Sequence, residues 1–391
     1  MKTLRRLPAW AWSIVAGLLT LAVLLAVSYP RATPYDNYVY LAEAFLRGHV
    51  WVEPPGEYID ALLFEGRRYV IEGPLPGALM LPAVAIWGRD ANQTVLSILL
   101  GAIAAGAGWE LARRLGVPWR SRMLLVAFML LGTDLFWCAV FGDVWFLAHV
   151  SAFCFTLLAL VELCGKKRAW LVMIWAVCAF ESRFSMVLAI PVYLYLLVQG
   201  MPRQEARSRL FSAGAVLAVA AELWIAYNRA RWGTWYDIGY TAWYHQDSAG
   251  SPIGSPFQLS NLRMQLHSFF VAPPQFFVVW PYVVPSRYAL ALTWTSPALI
   301  LALFAWRPFH LVLALWAATL LTAAPNFLYY VNGFVQFGMR HALDFEPFLF
   351  ALMCLSATRG LRWWGVVLCA YSVLVGAWGV WFWIAFYRGG S

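Results

Sequence analysis

The sequence predicts an all-α protein that crosses a membrane many times, and composition, apolar segments and charge placement all support this fold class. Of the 391 residues, 62% are hydrophobic, 17% are aromatic and only 12% are charged. An average soluble domain contains about 25% charged residues. Because a soluble fold could not keep so much apolar surface away from water, the composition excludes a water-soluble protein.

Positive charge separates the apolar segments instead of collecting on one polar surface. The chain has 28 Lys and Arg residues against 19 Asp and Glu residues, a net charge of +9. Loop cations of this kind set the orientation of membrane proteins. A nucleic-acid-binding protein would instead gather them on a soluble face. The charge pattern therefore indicates membrane loops and no nucleic-acid partner.

The sequence predicts neither a metal site nor a cofactor. The six cysteines lie in apolar stretches and form no CxxC pair. His149 and His267 lack the neighbouring ligands that a zinc site requires. No glycine-rich phosphate loop follows a strand, which argues against a cytosolic nucleotide-sugar donor.

One integral membrane domain, residues 1–391 with about 11 transmembrane helices, is the predicted organisation. Three cations precede the first apolar run, Trp10 to Ser28, which approaches a full span of ~20 residues and lacks a clear cleavage site. We therefore expect a retained first helix with a cytoplasmic N-terminus. Residues 29–93 form the first extracytoplasmic loop, in which Leu75 to Trp87 is too short to span and should lie at the interface.

Loop charge supports this topology and places function on the outer side. If residues 75–87 do not cross, the next arginine cluster falls in the cytoplasm, as the positive-inside rule requires. Most acids and most of the loop length then face outward. A second large extracytoplasmic or re-entrant region, residues 229–287, is broken by prolines. The arginine cluster consists of Arg113, Arg114, Arg120 and Arg122.

The first loop combines an amphipathic helix with two notable acids. Tyr38, Leu41 and Phe45 recur at the spacing of a helix that lies along the membrane surface. Asp36 directly precedes this helix, where an acid commonly caps the N-terminus. Glu72 closes the loop before the next apolar segment. Two acids that bracket one outer loop favour a functional role beyond capping.

These acids resemble a motif of the GT-C superfamily of polyprenyl-phosphate-sugar glycosyltransferases. The relevant branches are the protein O-mannosyltransferase-like and lipid A aminoarabinose transferase-like enzymes. Asp36, with the aromatic, small and Arg-Gly positions after it, resembles their first-loop motif. Glu72-Gly73-Pro74-Leu75 resembles an acid-x-Pro-Pro-Leu element, and Asp143 matches the acid after the third span.

Two basic segments extend the resemblance. Phe180-Glu181-Ser182-Arg183-Phe184 resembles the basic residue ahead of a proline-containing helix, although proline is commoner at position 184. The segment from Arg340 to Pro347 resembles an Arg-aromatic-Leu-Pro-x-x-Pro element, from which His341 and Asp344 depart. The resemblance covers most of the chain, in the family's order.

The resemblance implies inverting transfer of a sugar from a polyprenyl phosphate to a glycan, lipid or protein acceptor, outside a bacterial inner membrane. A carboxylate would deprotonate or orient the acceptor hydroxyl, and we expect Asp36 in this role. Glu72 and Asp143 would support it or bind sugar hydroxyls, unless Asp143 caps a helix. Arg183 and Arg340 would hold the departing phosphate, because arginine within a membrane is costly and usually functional. Snorkelling or ion pairing is the alternative for both.

An aromatic and polar segment beyond residue 228 supplies candidate sugar or acceptor contacts. Aromatic faces pack against the C–H surfaces of sugars. The interfacial belt of Trp and Tyr found in most membrane proteins is the competing interpretation for each single residue. The candidates are Trp235, Tyr236, Tyr240 and His245.

Two other functions remain open from the sequence. A transporter or lipid-linked-sugar flippase predicts paired broken helices and ionisable groups in the middle of the bilayer. A non-catalytic GT-C-like scaffold would tolerate loss of Asp36 and act only with a partner protein. The few intramembrane charges and the single large first loop favour the enzyme, with membrane lipids as its surroundings.

Overall fold

A computed structural model describes residue 8, residues 10–54 and residues 61–386. The N-terminus, expected in the cytoplasm with its cations up to Arg6, and the C-terminus, which the alternation of the predicted spans places outside, lie beyond the described residues. The same holds for Glu57 and Asp60 of the first loop.

Helices make up most of the regular structure, as the composition predicts. The α-helices, in chain order, are α1 (Ala11–Ser28), α2 (Asn37–Leu46), α3 (Leu75–Trp87), α4 (Gln93–Arg114), α5 (Trp119–Leu131), α6 (Asp134–Phe141), α7 (Val144–Leu163), α8 (Ala169–Phe180), α9 (Ile190–Val198), α10 (Arg203–Trp232), α11 (Gly239–Gln246), α12 (Leu262–Phe270), α13 (Leu292–Thr295), α14 (Phe309–Leu328), α15 (Glu346–Ser356) and α16 (Trp363–Phe386).

Short 3-10 helices and two small hairpins complete the fold. The first hairpin lies in the first loop and pairs Ala61 with Val70 and Leu62 with Tyr69. The 3-10 helices are Gly88–Asp90, Phe184–Ala189, Leu259–Asn261, Pro297–Phe304 and Arg340–Asp344, and the strands are β1 (Ala61–Phe64), β2 (Arg67–Val70), β3 (Gln275–Phe276) and β4 (Val283–Val284).

In the described part of the chain, six helices are long and apolar enough to cross a membrane, and α5 with α6 forms a seventh candidate bent by 53°. Shorter apolar segments lie at 169–180, 184–198 and 346–356. The all-α, multi-pass prediction is confirmed, and the number of about 11 spans stays a prediction. The six long helices are α1, α4, α7, α10, α14 and α16.

The bundle is built around α7, which is surrounded by protein over most of its length. Helix α4 packs between α1 and α7. A Cβ at Gly106 of α4 would lie 2.9 Å from the Ser13 carbonyl oxygen of α1, so only glycine allows this helix contact. Small residues commonly permit such close packing in membranes.

The first loop folds back over the bundle and so positions its acids. Helix α2, expected to lie along the membrane surface, is instead mostly buried and packs on α3. The first hairpin is anchored by a small apolar cluster of Leu62, Tyr69 and Ile71 with Trp232, at the end of α10. This anchor holds residue 72 beside the ends of α8 and α10.

Candidate functional site

A cavity of about 1110 Å³ lies where the first loop meets the helix bundle. Its wall combines the first loop, the start of α7, the segment 177–190, one face of α10, helix α11 and the segment 325–341. Residues far apart in sequence therefore share one space.

Five of the nine predicted site residues line this cavity. They are Glu72, Asp143, Arg183, Tyr240 and Arg340.

The other four predicted residues do not line the cavity. Asp36 directly precedes α2 and is half-buried near Tyr40. Trp235 and Tyr236 are 65% and 49% exposed. His245 is exposed, and its Nε2 lies 3.0 Å from the Gly254 carbonyl oxygen.

Asp143 is held between the first loop and α7. Its carboxylate accepts a hydrogen bond from the Thr33 hydroxyl and does not cap α7. Gln93 of α4 fixes the surrounding backbone, since its side-chain amide donates to the carbonyl oxygens of Tyr35 and Gly142, at 3.3 and 2.7 Å. These hydrogen bonds join the first loop to the start of α7 on either side of the carboxylate.

Glu72 is buried beside the turn that follows α8. The neighbouring Gly73 lies so close to the Glu181 carbonyl oxygen that any Cβ there would overlap it. The Leu75 N–H donates to that same oxygen at 3.1 Å. This contact brings the first-loop acid close to the turn that carries Arg183.

Tyr240 lies on α11 and interacts electrostatically with both Glu72 and Arg183. Removal from water raises the pKa of its phenol to about 12, and Arg183 partly opposes this shift. At neutral pH the hydroxyl therefore keeps its proton and can donate to a ligand.

Arg183 forms an ion pair with Asp344. The Nε–Oδ1 distance is 3.3 Å and the Nη2–Oδ2 distance is 3.2 Å. Arg183 therefore forms the ion pair that the sequence left open as an alternative, and it also lines the cavity. The hydrogen bonds of Arg183 to described residues use Nε and Nη2, which leaves Nη1 available to a ligand.

Asp344 is completely buried, and it organises this end of the cavity. Besides Arg183, its carboxylate accepts hydrogen bonds from Ser185 Oγ at 2.6 Å and Asn326 Nδ2 at 3.0 Å. His149 Nδ1 lies 2.8 Å from Oδ1. Multiple donors of this kind are needed to stabilise a buried charge. Asp344 therefore ties α7, the start of the 3-10 helix 184–189 and α14 together behind the cavity wall.

Arg340 is the second cation in the wall and is 8% exposed. Its guanidinium lies over the rings of Trp145 and Phe146, at 5.7 and 5.5 Å from their centroids, as in cation–π pairs. The buried carboxyl of Asp134 interacts with it electrostatically from the bundle interior. Arg340 is thus held at the surface of the cavity by the rings beneath it.

One side of the cavity is almost entirely apolar. Segment 177–190 faces one side of α10, a helix whose surface is mostly exposed outside these contacts. This apolar wall consists of Val177, Phe180, Phe184, Val187, Ile190, Leu217, Ala220, Ala221 and Trp224.

Within residues 10–54 and 61–386, no group of three or more His, Cys, Asp or Glu side chains could hold a metal ion. The cavity lining contains guanidinium, carboxyl and hydroxyl groups that a ligand could contact. His149, Ser185, Asn326 and Asp344 were not among the predicted site residues.

This bundle, with its first loop folded over the cavity, has the GT-C fold that the sequence predicts. The structure is similar to the crystal structure of ArnT from Cupriavidus metallidurans bound to undecaprenyl phosphate, with a TM-score of 0.52 and 14% sequence identity. The match covers 89% of this chain and 60% of that chain. The predicted GT-C fold is therefore confirmed.

The chain spans less than two thirds of the ArnT structure that it matches. No protein-family model matches the sequence, and no curated protein matches it. The similarity is thus one of fold.

Proposed function

We propose that this protein is a membrane glycosyltransferase that transfers a sugar from a polyprenyl phosphate to a hydroxyl-bearing acceptor. One observation carries the proposal: two arginines, four carboxylates and a long apolar wall share a single cavity. That ArnT was solved with undecaprenyl phosphate bound supports a lipid phosphate as the ligand class.

The apolar wall between segment 177–190 and α10 suits a polyprenyl chain. Its side chains offer only hydrocarbon and aromatic surface, which a prenyl tail covers without leaving polar groups unsatisfied. A soluble nucleotide-sugar would gain nothing from this surface.

Arg183 and Arg340 suit the phosphate. As the sugar leaves, the lipid phosphate gains one negative charge, and fixed cations stabilise that charge in the transition state. Both guanidiniums are already held in place, Arg183 by Asp344 and Arg340 by the rings beneath it. Little reorganisation is therefore needed when the charge develops.

The carboxylates suit the acceptor. Glu72 and Asp143 line the cavity, and we propose that they bind sugar or acceptor hydroxyls. Asp36, our candidate for the base from the sequence, lies outside the cavity lining, so it could act only on an acceptor hydroxyl held at the edge of the cavity. It lies three residues from Thr33, whose hydroxyl binds Asp143. Attack of the acceptor opposite the phosphate in one step would invert the anomeric carbon.

The outward excess of acids and loop length supports action on the outer face of a bacterial inner membrane. Glycan, lipid and protein acceptors all provide hydroxyl groups, so the proposal covers these three classes. Trp235, Tyr236 and His245 lie outside the cavity, where they could contact only the part of an acceptor that extends beyond it.

The proposal is tested by lipid capture followed by transfer. Native mass spectrometry of the gently solubilised protein should show a bound polyprenyl phosphate, which Arg183→Gln and Arg340→Gln should each weaken. Reconstituted protein should then form a glycosidic bond from an undecaprenyl-phosphate sugar. Movement of that lipid across liposomes without bond formation would favour a flippase, and absence of lipid binding would refute the proposal.

A further inference from the structure

One histidine of the cavity wall has its two ring nitrogens in different surroundings. His149 lies on the second turn of α7 and is 1% exposed. Its Nδ1 bonds to Asp344, whereas no described residue forms a hydrogen bond with its Nε2. The ring belongs to the cavity lining. Nε2 itself is buried, and a buried polar atom without a partner, on a residue that lines a cavity, is a candidate contact for a ligand.

Asp344 determines which ring nitrogen carries the proton. An ionised carboxylate only accepts hydrogen bonds, so Nδ1 must donate, and the neutral imidazole then presents a lone pair at Nε2. Arg183 already balances the charge of Asp344, so this carboxylate does not require a second cation. His341 packs edge-on against the His149 ring, with centroids 5.3 Å apart, and restricts its rotation.

The position of this lone pair favours a sugar hydroxyl over the phosphate. Arg183 and His149 bond to the same carboxylate oxygen, so the two side chains are neighbours in the cavity wall. An ionised phosphate oxygen has no hydrogen to donate to Nε2. In a polyprenyl-phosphate sugar, the nearest hydrogen-bond donors beyond the phosphate are the hydroxyls of the sugar itself.

We propose that His149 Nε2 accepts a hydrogen bond from a hydroxyl of the transferred sugar, with Asp344 as the positioning residue. This role rests on the proposed function and adds to it a residue that selects the sugar. A donor that lacks this hydroxyl would leave Nε2 buried and unsatisfied. Sites built to bind a hydroxyl discriminate strongly against analogues without it.

The test measures binding of undecaprenyl-phosphate glucose and its 2-, 3-, 4- and 6-deoxy analogues to the full chain in nanodiscs. Wild-type protein should bind one deoxy analogue about ten- to a hundredfold more weakly than the parent donor. His149→Phe should bind the parent donor about as weakly as that analogue and no longer distinguish them. The control His310→Phe, at an exposed site at the start of α14, should behave as wild type.

Three outcomes would overturn the role. In the first, the wild type binds the parent donor and all deoxy analogues equally well. In the second, His149→Phe binds every ligand more weakly by the same factor, including undecaprenyl phosphate without a sugar. In the third, His149→Phe still distinguishes the parent donor from the deoxy analogue as the wild type does. Wild-type failure to bind undecaprenyl phosphate at all would remove the proposed function itself, so the two failures are distinguishable.

A second readout needs no substrate and keeps the proposal testable if one variant misfolds. In ¹⁵N NMR of histidine-labelled protein, assigned with His149→Gln, Nε2 should be unprotonated in the wild type. Asp344→Asn offers an amide N–H to Nδ1 and should shift the proton to Nε2. A protonated Nε2 in the wild type would also overturn the assignment.

Discussion

The ion pair between Arg183 and Asp344 makes a strong prediction about stability. Asp344→Asn keeps the shape of the side chain but leaves the Arg183 guanidinium, with 14% of its side chain exposed, without its counter-ion. Removing one partner of a buried pair typically costs about 3–5 kcal/mol. We expect about 3 kcal/mol here, because the Arg183 side chain retains some contact with solvent. Arg183→Gln should lower the free energy of unfolding by a similar amount, because the buried Asp344 carboxylate then loses its cation.

The double variant separates charge pairing from simple loss of packing. With both charges removed, the amide introduced by Asp344→Asn can still bond to Ser185 and Asn326. The loss in the free energy of unfolding in the double variant should therefore be at least about 1.5 kcal/mol smaller than the sum of the losses in the two single variants. The free energy of unfolding is measured by denaturant titration in one detergent. The exposed pair of Glu205 and Arg209 serves as control, and Glu205→Gln there should change stability by about 0.5 kcal/mol or less. Strict additivity of the two buried substitutions would refute the role assigned to this ion pair.

Four further predictions follow. Asp36→Asn and Asp143→Asn should each lower sugar transfer by about a hundredfold or more with unchanged thermal stability, and full activity in either would remove that carboxylate from the mechanism. Arg340→Gln should weaken undecaprenyl phosphate binding by about tenfold or more in a lipid-capture assay, and an unchanged affinity would place the phosphate elsewhere. Gly73→Ala should destabilise by about 1–3 kcal/mol because its Cβ overlaps the Glu181 carbonyl, whereas Gly214→Ala, with open space around it, should be neutral or stabilising. Tyr240→Phe should reduce transfer more than Trp235→Phe, since only Tyr240 lines the cavity, and the reverse order in a transfer assay would contradict the site.

The parts of the fold that follow from local apolar patterning could be predicted from the sequence. The first span was expected at Trp10 to Ser28 and occurs as Ala11–Ser28, and the short apolar segment at 75–87 is helix α3. Both are continuous apolar runs, whose signal lies within a single segment. The helix expected after Asp36 forms, but it is buried by protein and does not lie on the membrane surface. The sequence pattern shows that the helix has an apolar face and does not show what packs against that face.

The centre of the site could not be predicted in the same way. Asp344 was noted only as a departure from a family motif, and its partners His149 and Arg183 lie 195 and 161 residues away in sequence. Contacts over such separations have no periodic pattern, and they form only when α7, the turn after α8 and the 3-10 helix Arg340–Asp344 pack together. Glu72, Asp143, Arg183 and Arg340 could be predicted because acids and arginines near membranes are rare enough to be informative one by one, whereas Asp237 and Asp247, which also line the cavity, were not predicted as site residues.

Cryo-electron microscopy of the protein with undecaprenyl phosphate in nanodiscs would show directly whether the cavity binds the lipid phosphate. We expect the phosphate within hydrogen-bonding distance of Arg183 Nη1 and the Arg340 guanidinium, with the prenyl chain along segment 177–190 and α10. A lipid phosphate bound at any other place, with this cavity left to water, would contradict this expectation.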